Sequence, residues 1–305
     1  MRKMEVLNLV RSDIVANQVS LMERYLDYID VSDATQKEYH TGLKLFFEYC
    51  KEKNINEVKR QDIIEYRNRL QEQGKSANTI NLYLVSVKNF FKWLEYEGIY
   101  KDVAKNIKAM PVQNTHIRES LDVDQIKELL KHCQDDKEKL IISLAITTGI
   151  RCNEMCNIRV QDIVNKNGVN CLYVLGKARH GMRTDFVVIS NNILNQIKKY
   201  IKQYNITEYL FTSNSNNSRG KALSTRSMRE IVNKIYERAG IKTENLVFHS
   251  LRHGFCQINL ENGNDIIEIS KAMRHKSITT TMRYVKDIEA QNNNCFNTVN
   301  NLLFA

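Results

Sequence analysis

Residues 147–154 read Thr-Thr-Gly-Ile-Arg-Cys-Asn-Glu and follow directly on an apolar segment. Gly149 predicts the end of a buried helix, because glycine readily adopts the left-handed conformation found after a helix C-terminus. A new helix is predicted to begin near Asn153, so Arg151 stands at a junction between two helices. Glu154 follows three residues later, within reach of the arginine side chain. The stretch therefore predicts an oriented arginine on an α-helical scaffold.

A basic loop separates two β-rich segments in the second half of the chain. Residues 171–175 and 184–189 are rich in residues that favour β-strands, and the loop between them contains Lys177, Arg179 and His180. Two such segments joined by a loop that contains glycine predict a β-hairpin. Lys177 taken alone is typical of a surface lysine, so its interest depends on the residues that accompany it.

Two later segments each pair a histidine with a second chemically active residue. His249 and Arg252 lie three positions apart and so share one face of a helix. His275 and Tyr284 lie nine positions apart, with a cluster of Ser and Thr typical of a helix start between them. Taken alone, His249 is more typical of a structural histidine held by hydrogen bonds. Tyr284, one of 14 tyrosines, is taken alone more typical of a core residue.

Together these segments supply cationic and hydroxyl-bearing side chains without a carboxylate pair. The set consists of Arg151, Lys177, His249, Arg252, His275 and Tyr284. The guanidinium groups of arginines can neutralise the negative charge of a phosphodiester, histidine can act as a base, and lysine can protonate a leaving oxygen. A tyrosine hydroxyl can be the nucleophile, although its pKa near 10 requires a base or a cationic setting. Since no Gly-rich phosphate loop or metal-ligand cluster accompanies the set, no cofactor and no metal are expected.

The positive charge of the chain is confined to its second half. Lysine and arginine number 45 against 35 aspartates and glutamates, a net charge of +10 in 305 residues. Residues 1–150 contain 23 basic and 23 acidic residues, whereas residues 151–305 contain 22 and 12. A basic half of this size indicates a polyanionic partner, of which nucleic acid is the usual one. A basic solubilising surface is the alternative.

The composition is that of a folded protein that stays inside the cell. The chain is 42% hydrophobic, and its longest apolar run falls far short of the roughly 20 residues that a membrane helix requires. The N-terminus leads into no apolar signal core, so a cytoplasmic location and no membrane partner are expected. The seven cysteines are scattered without Cys-x-x-Cys spacing, which predicts free thiols. Cys152 and Cys156, four apart, favour buried small side chains over a metal site.

The first half reads as a helical domain after a polar leader. Apolar residues recur at helical spacing over residues 35–53, 60–73 and 76–97. A basic face, or else ordinary solvated side chains, is formed by Lys59, Arg60, Arg67, Arg69, Lys75, Lys88 and Lys92. Pro111, the only proline, falls in a stretch without apolar periodicity, residues 104–117, which predicts an interdomain linker.

As a set, these residues resemble the tyrosine recombinase (phage integrase) family in its two-domain, Xer-like form. The family motifs are matched by Thr-Gly-Ile-Arg-x-x-Glu around Arg151, Gly-Lys at Lys177, His-x-Leu-Arg-His from His249 to His253, Arg-His-Lys-Ser around His275 and Thr-Thr-x-x-Tyr ending at Tyr284. The likeness extends over roughly residues 15–290. Two positions depart from the family pattern: Arg274 stands where glycine is usual, and Gly254 stands where threonine is frequent.

The resemblance implies a mainly α fold with two DNA-binding domains. Residues 12–103 would form a helical, SAM-like core-binding domain, and residues 118–290 an α-rich catalytic domain with a small β-hairpin or sheet. Residues 104–117 would link them, so that the domains clamp duplex DNA. Residues 291–305 would form a tail that docks on a neighbouring subunit through the apolar residues 302–304, Leu-Leu-Phe.

The resemblance also implies a reaction. Tyr284 would attack the scissile phosphate, forming a 3′-phosphotyrosyl bond and freeing a 5′-hydroxyl. The remaining roles would be those of phosphate ligands (Arg151, Arg252 and His275), general acid (Lys177) and base (His249). A homotetramer on paired sites in double-stranded DNA would exchange strands through a Holliday junction, and off DNA the protein would be a monomer or a weak dimer. Since the bond energy is kept in the protein–DNA linkage, neither metal nor ATP is required.

Two other classes of protein remain open from the sequence. A type IB topoisomerase would use a similar residue set to relax DNA, although the helical first domain argues against it. A non-catalytic DNA-binding factor would keep the basic half but would not need Tyr284. Within the recombinase class, three roles remain open: integration and excision of a mobile element, resolution of transposon cointegrates, and separation of chromosome dimers.

Overall fold

The structure is a computed structural model, which describes residues 14–112, 119–175, 185–213 and 219–282. The chain separates into two compact units, Met1–His116 and Ile117–Ala305. Each unit has a hydrophobic core of its own. None of the helices in the described part of the chain has the length and apolar character needed to cross a membrane.

The first unit is built from four helices in its described part. They are α1 (Gln18–Tyr28), α2 (Asp33–Glu52), α3 (Arg60–Glu72) and α4 (Ala77–Tyr96). α2 and α4 begin after Ser32 and Ser76, whose hydroxyls accept hydrogen bonds from backbone N–H groups at 3.4 and 3.2 Å, as N-caps do. The helices predicted at residues 35–53, 60–73 and 76–97 are confirmed, whereas α1 lies in the stretch interpreted as a polar leader.

Aromatic rings fill the core of the first unit. Phe47 on α2 meets Phe90 on α4 edge to face, with ring centroids 5.6 Å apart and planes at 89°. Phe46 meets Tyr66 of α3 in the same manner, at 5.3 Å and 73°. α1 joins this cluster through Tyr25, whose ring centroid lies 5.4 Å from that of Phe90. Such ring pairs add stabilisation beyond the area they bury and fix the four helices against one another.

The chain beyond α4 stays on the first unit as far as Met110. Ala104 and Ile107, which fall within the predicted linker, are buried in the core of this unit. The side-chain amide of Asn81 donates to the Met110 carbonyl at 2.9 Å and accepts from the Met110 N–H at 2.7 Å. The sequence interpretation missed this packing because the buried residues occur singly, without the repeat that marks a helix or strand.

Basic side chains of the first unit hold this same segment. Arg60, Arg67 and Lys88 donate hydrogen bonds to backbone carbonyls between residues 105 and 108. All three belong to the face that the sequence predicts to be basic, and part of their hydrogen-bonding capacity goes to the chain itself.

In its described part, the second unit combines seven α-helices of five or more residues with a small sheet. The helices are α5 (Val123–Lys131), α6 (Asp136–Thr148), α7 (Cys152–Cys156), α8 (Asn191–Tyr204), α9 (Thr225–Arg238), α10 (Phe248–Glu261) and α11 (Ile266–Ala272). Residues 279–282 are again helical. α6 packs against α5, α8, α9 and α10 and forms the centre of the core. The mainly α fold predicted from the sequence is confirmed.

The sheet of the second unit has three antiparallel strands in the order β1-β2-β3. They are β1 (Ile163–Lys166), β2 (Val169–Val174) and β3 (Asp185–Val188). The register pairs Ile163 with Leu172 and Cys171 with Val188. The predicted hairpin is confirmed as β2 and β3, and its loop, residues 176–184, lies outside the described residues. β1 adds a strand that the sequence interpretation did not include.

The cysteines in the described part of the chain are free thiols. They are Cys50, Cys133, Cys152, Cys156, Cys171 and Cys256, and all except Cys133 are buried. Cys152 and Cys156 belong to the hydrophobic core of the second unit. They therefore pack as small apolar side chains, as their spacing led us to expect.

Candidate active site

Gly149 and Arg151 form the junction between α6 and α7. Gly149 ends α6 in the left-handed conformation, with a φ of 58°, and its N–H bonds to the carbonyl of Ala145. A Cβ at this position would lie 2.8 Å from the ring of Phe255, so glycine alone fits without a shift. Arg151 is the N-cap of α7, and its backbone N–H donates to Glu154 Oε2 at 2.9 Å. The junction predicted from the sequence is present.

Glu154 is a buried carboxylate shared by two arginines. Its side chain is 5% exposed, and its Oε1 accepts a hydrogen bond from Arg151 Nη1 at 2.5 Å. Its Oε2 accepts from Arg274 Nη2 at 2.7 Å. Burial works against the charged carboxylate, but Arg274 and Arg151 outweigh burial and hold the pKa of Glu154 below its usual value. Glu154 is therefore ionised and fixes both guanidinium groups.

Among the described members of the predicted set, Arg252 is the most deeply buried charged side chain. It projects from α10 and is 1% exposed. Its Nη1 donates to the Gly149 carbonyl and its Nη2 to the Met273 carbonyl. A buried guanidinium is tolerated where its donors are hydrogen-bonded in this way. Arg252 thereby ties the C-terminus of α6 to the turn that follows α11.

That turn, residues 273–275, supplies acceptors to both arginines of the predicted set. The Met273 carbonyl accepts a hydrogen bond from Arg252 Nη2, and the Arg274 carbonyl accepts one from Arg151 Nη2 at 2.9 Å. Arg274 itself has a φ of 54°, in the left-handed region that few residues other than glycine adopt. The next residue is His275, so one short turn positions two guanidinium groups and an imidazole.

The imidazole of His275 is neutral near pH 7. Its Nδ1 lies 2.7 Å from the hydroxyl of Thr281, a residue that is fully buried. Its pKa is lowered from 6.5 to about 4. The causes are burial first and then electrostatic interactions with Arg252, Arg151, His249 and Arg274. When the Thr281 hydroxyl donates to Nδ1, the ring proton is on Nε2, which is then a hydrogen-bond donor.

His249 lies in the first turn of α10, three residues before Arg252. It is half-buried, and its ring meets that of His253 edge to face, with centroids 4.9 Å apart. Its electrostatic interaction with His275 is one of the causes that lower the pKa of His275. The side chains of α10 and of the turn after α11 thus face a common point.

The structure brings together four of the six predicted site residues. They are Arg151, His249, Arg252 and His275. Lys177 and Tyr284 lie outside the described residues. The structure adds Arg274 and Thr281, which the sequence interpretation did not assign to the site. The sequence did mark Arg274 as unusual, because it stands where the family motif usually has glycine.

The carboxylate at this site has little capacity left to bind a metal ion. Glu154 is fully engaged by Arg151 and Arg274. Within residues 14–112, 119–175, 185–213 and 219–282, no group of three or more His, Cys, Asp or Glu side chains is arranged to hold a metal. The arrangement instead offers cations and neutral donors, which suit an anionic oxygen.

Comparison with known sequence families matches both units of the chain. The profile described as the phage integrase family matches residues 119–291. A second profile, phage integrase N-terminal SAM-like domain, matches residues 22–98. The first match alone covers more than half of the chain.

Curated relatives match nearly the full length. Tyrosine recombinase XerA of Pyrococcus horikoshii is 26% identical over 280 residues, which are 90% of this chain and 91% of the relative. Tyrosine recombinase XerC of Thermodesulfovibrio yellowstonii is 29% identical over 272 residues, covering 83% of this chain and 85% of the relative.

Solved structures share the fold at low sequence identity. The XerH site-specific recombinase bound to a palindromic difH substrate gives a TM-score of 0.68 at 19% identity, over 86% of this chain and 80% of that one. A lambda integrase dimer bound to a COC′ core site also gives 0.68 at 19% identity, over 86% and 96%.

Proposed function

The chain belongs to the phage integrase family, and we propose that it is a tyrosine recombinase that cleaves and rejoins double-stranded DNA at specific sites. Its curated relatives are named tyrosine recombinases, and the structures that share its fold include a lambda integrase tetramer bound to a Holliday junction. The match of residues 22–98 to the family's N-terminal domain disfavours the type IB topoisomerase alternative. For this activity we propose a cytoplasmic location.

The observation that carries the proposal is the convergence of Arg151, Arg252 and His275 on one turn. Two guanidinium groups and a neutral imidazole come within a short distance of one another, and each is held by hydrogen bonds of its own. Donors fixed in advance stabilise developing negative charge without reorganising during the reaction. A phosphodiester bound at this point meets the donors that a pentacoordinate phosphorane requires.

In the proposed reaction, Tyr284 Oη attacks phosphorus and the bond from phosphorus to the 5′-oxygen breaks. His249 takes the tyrosyl proton, and Lys177 gives a proton to the leaving 5′-oxygen. The product is a 3′-phosphotyrosyl bond and a free 5′-hydroxyl, with Arg151, Arg252 and His275 as phosphate ligands. Attack by a 5′-hydroxyl from a second duplex reverses these steps and rejoins the strand. No cofactor takes part.

The proposed assembly is a homotetramer on two paired DNA sites. Residues 291–305, outside the described residues, would pack on the neighbouring subunit through Leu302, Leu303 and Phe304. Exchange of such a segment between identical subunits is a low-cost way to close a cyclic assembly. Off DNA, the proposed state of the protein is a monomer or a weak dimer.

Covalent trapping tests this function. The wild-type chain is incubated with fragmented genomic DNA, and the fragments that become covalently attached are sequenced to find the site. A nicked duplex carrying that site is then a suicide substrate, because the small fragment after the nick diffuses away. Tyr284→Phe is expected to bind this duplex normally and to form no adduct.

The matched control is Tyr96→Phe, which removes a hydroxyl from an exposed tyrosine of the first unit. This variant is expected to form the adduct at the wild-type rate. An adduct in Tyr284→Phe would show that another residue is the nucleophile. Absence of any adduct in the wild type would favour the non-catalytic DNA-binding alternative.

A further inference from the structure

We propose that Arg274 is a positioning residue, which locks Arg151 in the orientation needed to bind the scissile phosphate. This inference rests on the proposed recombinase function. Arg274 is not one of the six residues assigned to the reaction, and it acts through Glu154 and Arg151 rather than on the substrate.

The contacts of Arg274 form a closed ring of hydrogen bonds. Arg274 Nη2 donates to Glu154 Oε2 at 2.7 Å, and Arg151 Nη1 donates to Glu154 Oε1 at 2.5 Å. Arg151 Nη2 then donates to the Arg274 carbonyl at 2.9 Å, which closes the ring. One residue therefore holds the Arg151 guanidinium from two sides, through its side chain and through its backbone.

The backbone of Arg274 supports a functional role. Its φ of 54° is unfavourable for a residue with a side chain, and its side chain is only 8% exposed. A strained conformation persists where surrounding contacts over-determine it. Here the left-handed turn presents the Arg274 carbonyl to Arg151 while the guanidinium reaches Glu154, and a second donor, Nη1, bonds to the Ala272 carbonyl at 2.9 Å.

Arg274 also acts through Glu154 by balancing the negative charge of this carboxylate. Arg151 and Glu154 alone form a neutral ion pair, which attracts an anion weakly. With Arg274 included, the three side chains have a net charge of +1. The positive charge of the ring is therefore available to a phosphate, while Glu154 still orients Arg151.

Three variants separate these effects. Arg274→Gly keeps the carbonyl and relieves the backbone strain, Arg274→Gln keeps a side chain without charge, and Arg274→Lys keeps a charge and a donor for Glu154. The readout is the single-turnover rate of adduct formation on the nicked duplex that carries the mapped site. We expect at least about a tenfold loss for glycine and glutamine, with normal DNA affinity, and recovery of most of the rate with lysine.

A pH–rate profile gives a readout that a merely structural role would not move. Arg274 is one of the groups, with Arg252, Arg151 and His249, whose electrostatic interactions together with burial lower the pKa of His275. Loss of its charge in Arg274→Gln is expected to raise the pKa of His275, and so to move the inflection that follows protonation of His275 to higher pH. Arg274→Lys is expected to leave that inflection in place.

Arg238→Gln is the matched control. It breaks another partly buried ion pair of the second unit, between Arg238 on α9 and Glu138 at the start of α6. We expect lower thermal stability in this variant but an unchanged pH–rate profile.

Further outcomes decide the proposal. In Glu154→Gln, adding Arg274→Gln is expected to cause little further loss of rate, because Arg274 acts through Glu154. The proposal would be overturned if Arg274→Gly or Arg274→Gln formed the adduct as fast as the wild type. It would also be overturned if Arg274→Gln and Arg274→Lys lost rate, DNA affinity and stability to the same extent. Failure of the recombinase function itself is distinguishable, because the wild-type chain would then form no adduct.

Discussion

The two arginines of the predicted set have different surroundings and so make different contributions. Arg252 is 1% exposed and uses both Nη atoms on backbone carbonyls, whereas the Arg151 side chain is 27% exposed. Arg252 thus joins α6 to the turn after α11 and is the more deeply buried of the two. Arg151 is the arginine with room to make direct hydrogen bonds to non-bridging oxygens.

The lowered pKa of His275 predicts a dependence of stability on pH. Above pH 6.5 its ring is neutral in both the folded and the unfolded chain, and between 6.5 and about 4 only the unfolded chain takes up the proton. The free energy of unfolding is therefore expected to fall as the pH falls through this window. His275→Gln is expected to lose this part of the dependence, measured by urea unfolding between about pH 7 and about pH 4.5.

The control for this prediction is His40→Gln, which replaces an exposed histidine of the first unit. It is expected to keep the wild-type dependence on pH. If wild-type and His275→Gln curves run parallel through the window, His275 takes up its proton as easily in the folded chain as in the unfolded one.

At the residue scale, the sequence reveals contacts between near neighbours and hides those between distant ones. The pairing of Arg151 with Glu154 follows from their separation of three positions at a helix start. Arg274 shares the same carboxylate, but it lies 120 positions further along the chain. No local spacing predicts that contact, because it exists only once α11 and α7 have folded into one unit.

Among the elements, β1 carried a signal that the sequence interpretation did not use. Asn167 and Gly168 join β1 to β2, and their φ values of 51° and 84° are those of a type I′ turn. An Asn-Gly pair between β-rich segments is the usual signature of such a hairpin. β1 is only four residues long and half-exposed, so its apolar alternation was too weak to indicate a strand by itself.

The junction at the end of α6 predicts the effect of replacing its glycine. Gly149 and Gly240 both have left-handed backbones, with φ values of 58° and 70°, but only Gly149 has a neighbour, Phe255, in the space that a Cβ would occupy. Gly240→Ala is expected to cost about 1 kcal/mol of folding free energy. Gly149→Ala is expected to cost roughly 3 kcal/mol, since it must also displace the ring.

Urea unfolding measures the free energy of unfolding of both variants, and Gly240→Ala is the matched control for backbone strain. Gly149→Ala is also expected to slow adduct formation, because the Gly149 carbonyl accepts from Arg252. Equal losses of stability in the two variants would mean that Phe255 moves aside without cost. The contact would then place no constraint on the junction.

On the scale of the whole molecule, the two units differ in charge. Met1–His116 contains 18 basic and 16 acidic residues, a net charge of +2, and Ile117–Ala305 contains 27 and 19, a net charge of +8. The second unit also contains the described site residues. The sequence alone located this asymmetry, because charge is counted without knowledge of the fold.

The charge of the second unit predicts a steep dependence of DNA affinity on salt. Each phosphate neutralised by a lysine or arginine releases condensed counterions, so affinity falls as salt is added. For about six phosphate contacts, the association constant is expected to fall about 10³-fold between about 50 and 200 mM KCl. Fluorescence anisotropy with Tyr284→Phe measures this without covalent trapping, and its thermal unfolding midpoint at the same salt concentrations is the control for folding. A fall of less than about tenfold would mean that the charge of +8 lies away from the DNA and acts as a solubilising surface.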